Sequence, residues 1–305
     1  MKKVHVIGDR TVRYTELFTS VQGEGRYTGK LSMFFRFFGC NLSCQGFFQA
    51  HPTMPSTYKD PLAGVEPKTI KRLEDLPLFQ YGCDTGYSVS AKFKHLAEKA
   101  TVHDISNKML TMVPQDWKHN HSNADVHLVF TGGEPLLWQD EMIDIVFFLV
   151  DSGNYPKFIT VETNGTKPLS AENIERIKEL RDEYGIEWQW SVSPKLWTVS
   201  GEDEAINFDA WDTYFQASSV GYLKFVVNGT DVCWEELNYY VDLLQVPLNG
   251  HLAREWEVYV MPCGATLEQQ SDLNYIKAIA ERALKEGYQI SGRLHVSLFG
   301  NGVNT

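Results

Sequence analysis

From about residue 101 the chain settles into an alternation of strands and helices that leaves few choices of fold. The pattern DISNKMLTMV predicts a helix, VHLVF a strand, TGGEP a turn and residues 138–150 a helix. KFITVE then predicts a strand, TNGT a turn, and SAENIERIKELRDEY a helix entered through an N-cap region at Ser170 and Asn173. EWQWSVS reads as a strand ending at PK, and YLKFVV as a strand before the helix CWEELNYYVDLL. EWEVYVM precedes the helix LEQQSDLNYIKAIAERALKEG, and LHVSLF predicts a short closing strand. Repeated units of this kind predict an α/β chain with a parallel sheet covered by outer helices. Six or so units favour an open or partial (β/α)6-type barrel over a full eight. Polar or Gly-rich groups follow the strands: GC, TGGEP, ETNGT and SVSPK. In parallel barrels the strand C-termini converge on one face where sites are built, so these distant motifs are expected at one mouth.

The 305 residues, 43% of them apolar, suffice for a single domain spanning 1–305 with a full core. Ahead of the alternation, KVHVIGD and TVRYTEL predict a hairpin leading to the Gly-rich turn VQGEGRYTG, and LSMFFRFFG predicts a buried strand. Residues 45–82 differ in texture, rich in Pro and turn formers, with a short amphipathic patch IKRLEDLPLF. They read as an insertion carrying one helix, long enough to suggest a lid or another functional role. No run of about 18 apolar residues occurs, so no membrane span is expected. The stretch MKKVHVIGDRTVRYTE lacks a long apolar region and predicts no secretory signal. A net charge of −11 with one modest basic cluster argues against direct nucleic-acid binding and for a small-molecule substrate or a protein partner.

The cysteines are at 40, 44, 83, 233 and 263. An odd count without a secretory signal predicts a reduced, cytoplasmic chain rather than a disulfide scaffold. GCNLSCQGFF places Cys40 and Cys44 like the first part of a CxxxCxxC pattern, with Phe47 in the third position. The pair alone is weak, since two buried thiols satisfy it. Thiolate ligation of an iron–sulfur cluster needs three or four soft donors. Cys83, in YGCDTGYS, is the candidate third if residues 45–82 loop out; loop-closure cost grows only logarithmically with length. In TGGEP two glycines let a ligand approach the backbone. Its exposed edge can accept hydrogen bonds from an ammonium group, and Glu134 adds to this or serves structurally. Arg36 lies inside the apolar run MFFRFF, where an unpaired charge is costly. It is read as a carboxylate ligand or a member of a buried ion pair, with an exposed strand arginine as the alternative. Cys233 and Cys263 have no partner spacing and read as free thiols.

GCNLSC with a later third cysteine, plus TGGEP one unit downstream, resembles the radical S-adenosylmethionine (SAM) superfamily. SVQGEG at 20–25, RFFGCN at 36–41, CDT at 83–85, ETNGT at 162–166, SVSPK at 191–195, LKFVV at 223–227 and RLHVSLFGN at 293–301 narrow it. In that order they resemble the 7-carboxy-7-deazaguanine synthase family, interrupted by an insertion between the second and third cysteines. The resemblance implies a [4Fe-4S] cluster on Cys40, Cys44 and Cys83. It implies SAM bound by Gly82, Cys83, Asp84, Gly133, Glu134 and the turn Ser193-Pro194-Lys195, and Mg²⁺ on the Thr85 hydroxyl. Val21, Gln22, Gly23, Glu24, Arg36 and Thr131 would hold a pterin substrate. His295 is weighed evenly between lying close to substrate and being a core or solvated histidine. The chain end GNGVNT does not resemble the family's usual short tail.

The activity so implied is ring contraction of 6-carboxy-5,6,7,8-tetrahydropterin to 7-carboxy-7-deazaguanine with loss of ammonia, on the route to 7-deazapurines such as queuosine. A hydrogen atom would leave substrate C6 and later be returned, so that SAM acts as a cofactor. An electron donor such as flavodoxin or ferredoxin and a homodimer are implied as partners. Two other readings remain: a glycyl-radical-enzyme activase, which would not need QGEG, CDT or Arg36, and a non-catalytic homologue that lost its cluster when position 47 became Phe.

Overall fold

A computed structural model describes residues 5, 7–247, 250–300 and 302–303. Among them, nine strands form one sheet in the order β3-β1-β2-β4-β5-β6-β7-β8-β9. The strands β2 (Leu31–Phe37), β4 (His127–Gly132), β5 (Phe158–Thr163), β6 (Glu187–Val192), β7 (Gly221–Val227), β8 (Glu257–Pro262) and β9 (Gln289–Ile290) run parallel. Most are near-continuous apolar runs buried on both faces, as parallel strands covered by helices require. At one edge β1 (Thr11–Val21) and β3 (Glu98–Thr101) add antiparallel. Side chains on β2, β4, β5, β6, β7 and β8 line a single cavity, so the sheet curls into a partial barrel open between β3 and β9.

The outer layer holds α2 (Val102–Met112), α3 (Gln139–Ser152), α4 (Ala171–Tyr184), α6 (Phe208–Ala217), α7 (Asp231–Gln245) and α9 (Leu273–Glu286). The four-residue turns α1 (Gly86–Val89), α5 (Trp197–Ser200) and α8 (Leu267–Gln270) and the short α10 (Leu294–Phe299) sit at the mouth side of the chain. Ser170 caps α4 by accepting from Asn173 N at 3.1 Å, and Gly185 ends it at φ 67°, where a left-handed residue is needed. Trp188, Trp190, Trp211 and Trp234 are fully buried in the main core.

Three expectations are corrected and one unassigned stretch is filled. The hairpin pairs β1 with β2, not residues 3–9 with 11–17; residues 3, 4 and 6 lie outside the described residues, and 5 and 7–10 hold no strand. LHVSLF is helical, because Gln289–Ile290 already takes the last place beside β8 and Leu294 N is drawn to Gly23 O at 2.8 Å. The stretch FDAWDTYFQA, unassigned from sequence, is α6: Asn207 caps it and Ala210, Trp211, Tyr214 and Ala217 form its buried stripe. The insertion holds no α-helix, only 3-10 turns at Pro55–Thr57, Pro67–Thr69 and Leu73–Asp75. It buries a satellite core of its own, in which Ile70 and Phe79 pack with Tyr87 and Phe93. No helix among the described residues is long and apolar enough to cross a membrane.

The β1–β2 turn closes the floor. Tyr27 reaches across the N-terminal ends of the parallel strands, its hydroxyl on Glu187 and its ring edge against His127, which stacks on Phe158. Burial lowers the His127 imidazole from 6.5 to about 4. The unfolded ring takes a proton near pH 6.5 and the folded ring resists until about 4, so this stability is complete above pH 6.5 and is lost as the pH falls toward 4. His127→Phe should flatten that acid limb of the stability profile in urea titrations, and an unchanged slope would remove His127 as its source.

Candidate active site

The strand ends do meet. A cavity of about 240 Å³ is lined by Cys40, Cys44 and Cys83 together with residues from seven strands. Cys40 and Cys44 lie on the loop after β2. Cys44 adopts φ 48°, a costly conformation for a side-chain-bearing residue. Glu202 holds it there, accepting from Ser43 N at 2.7 Å, Ser43 Oγ at 2.8 Å and Cys44 N. Gly46 fits against Ser200, whose backbone a Cβ would meet at 2.6 Å. The insertion then leaves and returns: Gly82 N donates to Phe47 O at 2.8 Å. Cys83 therefore follows directly on the position that Phe47 occupies, and its Sγ lies 3.4 Å from Thr85 Oγ1.

Burial pushes all three thiols up, Cys40 to about 11; Cys40 and Cys44 also feel Cys83, and Cys83 feels Asp84. Desolvated thiols this close favour the thiolate only beside a cation. Lys195 supplies part of that charge from a fixed position, donating to Ser193 O at 2.8 Å and Ser193 Oγ at 2.9 Å. The donor set of three free, converging cysteines fits an iron–sulfur cluster.

The Gly-Gly turn packs onto the cysteine loop. Gly132 has φ 137°, and a Cβ on Gly133 would lie 2.1 Å from Gly39 O and 3.1 Å from Cys40 Cβ. Glu134 does not line the cavity. Its carboxylate is fully buried and accepts from Leu136 N at 2.9 Å, Thr163 Oγ1 at 2.7 Å and Asn164 N at 2.7 Å. It ties the turn after β4 to the turn after β5, so of the two roles open to it the structural one matches its contacts. Pro194 is also off the wall. Val21, Gln22, Gly23, Glu24, Arg36, Gly82, Asp84, Thr85, Thr131, Gly133, Ser193, Lys195 and His295 are on it.

On the floor side, Arg36 Nε donates to Glu16 Oε2 at 2.5 Å, which answers the cost of a charge in MFFRFF with a buried ion pair. Among the described residues its Nη groups make no hydrogen bond, and they remain for a ligand. Glu162 accepts from Gln22 Nε2 at 3.0 Å and Thr131 Oγ1 at 2.8 Å. Burial alone would raise the Glu24 carboxyl, but Lys224 and Arg293 pull it below the usual carboxylate range. Arg293 bridges Glu24 at 3.0 Å and Asp84 at 2.6 Å. His295 lies against Gly23, where a Cβ would meet its Nδ1 at 1.7 Å, and burial lowers its pKa.

Glu16, Tyr87, Glu162, Glu202, Lys224 and Arg293 were not singled out from sequence. Lys224 carried a usable signal, a cation inside the apolar strand YLKFVV, as Arg36 is inside MFFRFF. Glu16 and Glu202 sit in unremarkable stretches and gave none.

A partial barrel whose parallel strands end at three convergent cysteines beside a Gly-Gly turn defines the radical SAM class. No protein-family model matches the chain. It is 24% identical over 291 residues to a 7-carboxy-7-deazaguanine synthase of Pyrobaculum aerophilum, covering 95% of this chain and 96% of that one. It is 26% identical over 300 residues to one of Rhodopirellula baltica (94% and 86% covered) and 28% over 287 residues to one of Hyperthermus butylicus (93% and 92%). The crystal structure of QueE from Escherichia coli shares the fold with a TM-score of 0.53 at 17% identity, over 93% of this chain and 95% of that one. Over nearly its whole length the chain is thus similar to 7-carboxy-7-deazaguanine synthases.

Glu134 offers a direct check on its role. Glu134→Gln exchanges a carboxyl that accepts three hydrogen bonds through its two oxygens for an amide with one acceptor oxygen, which should cost about 1–3 kcal/mol in urea denaturation with an unchanged m-value. No loss of stability would overturn the clamp.

Proposed function

We propose that the chain converts 6-carboxy-5,6,7,8-tetrahydropterin to 7-carboxy-7-deazaguanine with release of ammonia, as a radical SAM lyase. The observation that carries this reading is the return of Cys83 beside Cys40 and Cys44, through Gly82 N on Phe47 O, at the wall of the same cavity that holds Arg36. Cys40, Cys44 and Cys83 would hold the cluster. Gly82, Asp84, the Gly133 turn, Ser193 and Lys195 would hold SAM, with Pro194 shaping that last turn. When bound, the cluster and SAM supply the one-electron chemistry that breaking an unreactive C–H bond requires.

This chain's own residues bind, orient and exclude water. Gln22 is pinned by Glu162 and by Glu24 N, which donates to its Oε1 at 3.2 Å. With Thr131, it presents a fixed set of polar groups for a pterin ring. The Arg36 Nη groups suit the substrate carboxylate, since a guanidinium pairs with one through two parallel hydrogen bonds. His295, kept neutral by burial beside Gly23, can exchange a proton or a hydrogen bond at the floor. Thr85 Oγ1 gives one hard oxygen for Mg²⁺, which ordinarily completes its shell with water and substrate oxygens. Asp84 is engaged by Arg293 and is not proposed as its ligand. An external one-electron donor protein, a homodimer, a cytoplasmic setting and a single domain carrying the 45–82 insertion belong to the same reading.

Anaerobic reconstitution tests it. Wild type should bind about four irons per chain and convert the carboxylated tetrahydropterin to a product identified by mass spectrometry. Cys83→Ala should lose the cluster. A full cluster in that variant would refute the ligand assignment. Iron without product, with a radical formed on a partner protein, would favour an activase, and failure to take up iron a non-catalytic homologue.

A further inference from the structure

We infer that the insertion sets the orientation of Arg36, with Tyr87 and Glu16 as positioning residues. The inference rests on the proposed role of Arg36 as the substrate's carboxylate partner. Tyr87 belongs to two neighbourhoods at once. Its ring is part of the satellite core, 6.1 Å from the Phe79 ring between centroids, and Phe79 is itself 6.0 Å from Phe93. Gly86 allows this approach, because a Cβ there would stand 3.2 Å from the Phe79 ring. The Tyr87 hydroxyl points the other way and donates to Glu16 Oε2 at 2.6 Å, in a fully buried hydrogen bond. The same oxygen receives Arg36 Nε at 2.5 Å.

Glu16 is therefore shared between a guanidinium and a phenol. Glu16 and Arg36 face each other across the β1–β2 ladder, beside the register shift between Tyr14 and Glu16. Their side chains are 1% and 14% exposed, so neither has water to compensate a misplaced partner. Because Glu16 already neutralises Arg36, net charge contributes little to the attraction of an incoming carboxylate. Affinity then depends on the Nη edge being held in the plane that a bidentate pair requires. A carboxylate gripped by the guanidinium alone can rotate about its own bond; the Tyr87 hydroxyl removes that freedom. The chain also approaches Arg36 from the insertion's side. A second cavity, of about 210 Å³, has Arg36 and Tyr87 in its wall together with Leu73, Leu76 and Phe79. The segment that interrupts the cysteine pattern thus backs the substrate arginine.

Two readouts on the anaerobically reconstituted full chain separate this inference from the reading beneath it. The first is binding of 6-carboxypterin and of pterin without the carboxylate. Tyr87→Phe, which keeps the ring in the satellite core, should weaken 6-carboxypterin about tenfold and leave unsubstituted pterin within about twofold. Phe79→Ala, which touches neither Glu16 nor Arg36 directly, should act in the same direction with a smaller effect. The second is solvent exchange of the Arg36 Nε–H by NMR, slow in wild type and faster in Tyr87→Phe. Equal weakening of both pterins, or unchanged Nε–H exchange, would overturn the positioning role. No effect of Phe79→Ala would overturn the insertion's part in it. Failure of wild type to bind either pterin, with Nε–H exchange still dependent on Tyr87, would sink the substrate reading and leave the relay standing.

Discussion

The hydrogen bond from Gly82 N to the Phe47 carbonyl decides what this chain can be. It closes a 38-residue excursion, residues 45–82, so that Cys83 takes up the chain where Phe47 left it. Closing a loop of 38 residues rather than two costs about 2.5 kcal/mol more, at ~0.6 kcal/mol per doubling. That cost is smaller than what the excursion recovers. Ile70 and Phe79 are buried in the satellite core, and burial of one such side chain contributes about 1.5–3 kcal/mol. The insertion is thus held by its own packing, and the cysteine site does not have to bear its entropy.

The cavity that results is built from compensated charges. Arg36 is matched by Glu16, Lys224 by Glu24, and Arg293 by both Glu24 and Asp84. Breaking one member of such a buried set leaves an uncompensated charge, which costs far more than the pair itself contributes. The arrangement is consequently a poor source of net stability and a strong source of geometry. It fixes each cationic group against its anionic partner beside one small volume. The overall charge of −11 says nothing about this volume, since most of that charge lies on solvated faces.

Much of this was legible in the sequence, and the parts that were not share a cause. The alternation of strands and helices, the strand-end motifs and the interrupted cysteines depend on periodicity and order, which a sequence displays directly. Arg36 was legible because a charge in MFFRFF has no inexpensive solution. Its partner was not: Glu16 lies twenty residues away, and only the β1–β2 register brings it opposite. Glu134 shows the converse. Its motif placed it at the site, but three donors from Leu136, Thr163 and Asn164 turn its carboxylate inward. LHVSLF alternates as a strand should, yet the sheet edge beside β8 was already taken by Gln289–Ile290, and local pattern yielded to available space.

The same reasoning bears on why the excursion begins where it does. A segment inserted into an outer loop would touch only solvent and neighbouring helices. Leaving between the second and third cysteines, it emerges at the mouth of the barrel and must fold back over it. Its apolar residues then meet the first elements available, α1 and the stretch carrying Phe93. Because α1 follows Cys83 by only two residues, and Gly39 N is bound to Ser88 O at 2.7 Å, any shift of the satellite core is transmitted both to the cysteine loop and to the ladder that holds Arg36. The insertion is mechanically continuous with the cysteine loop and with the strand pair that carries Arg36.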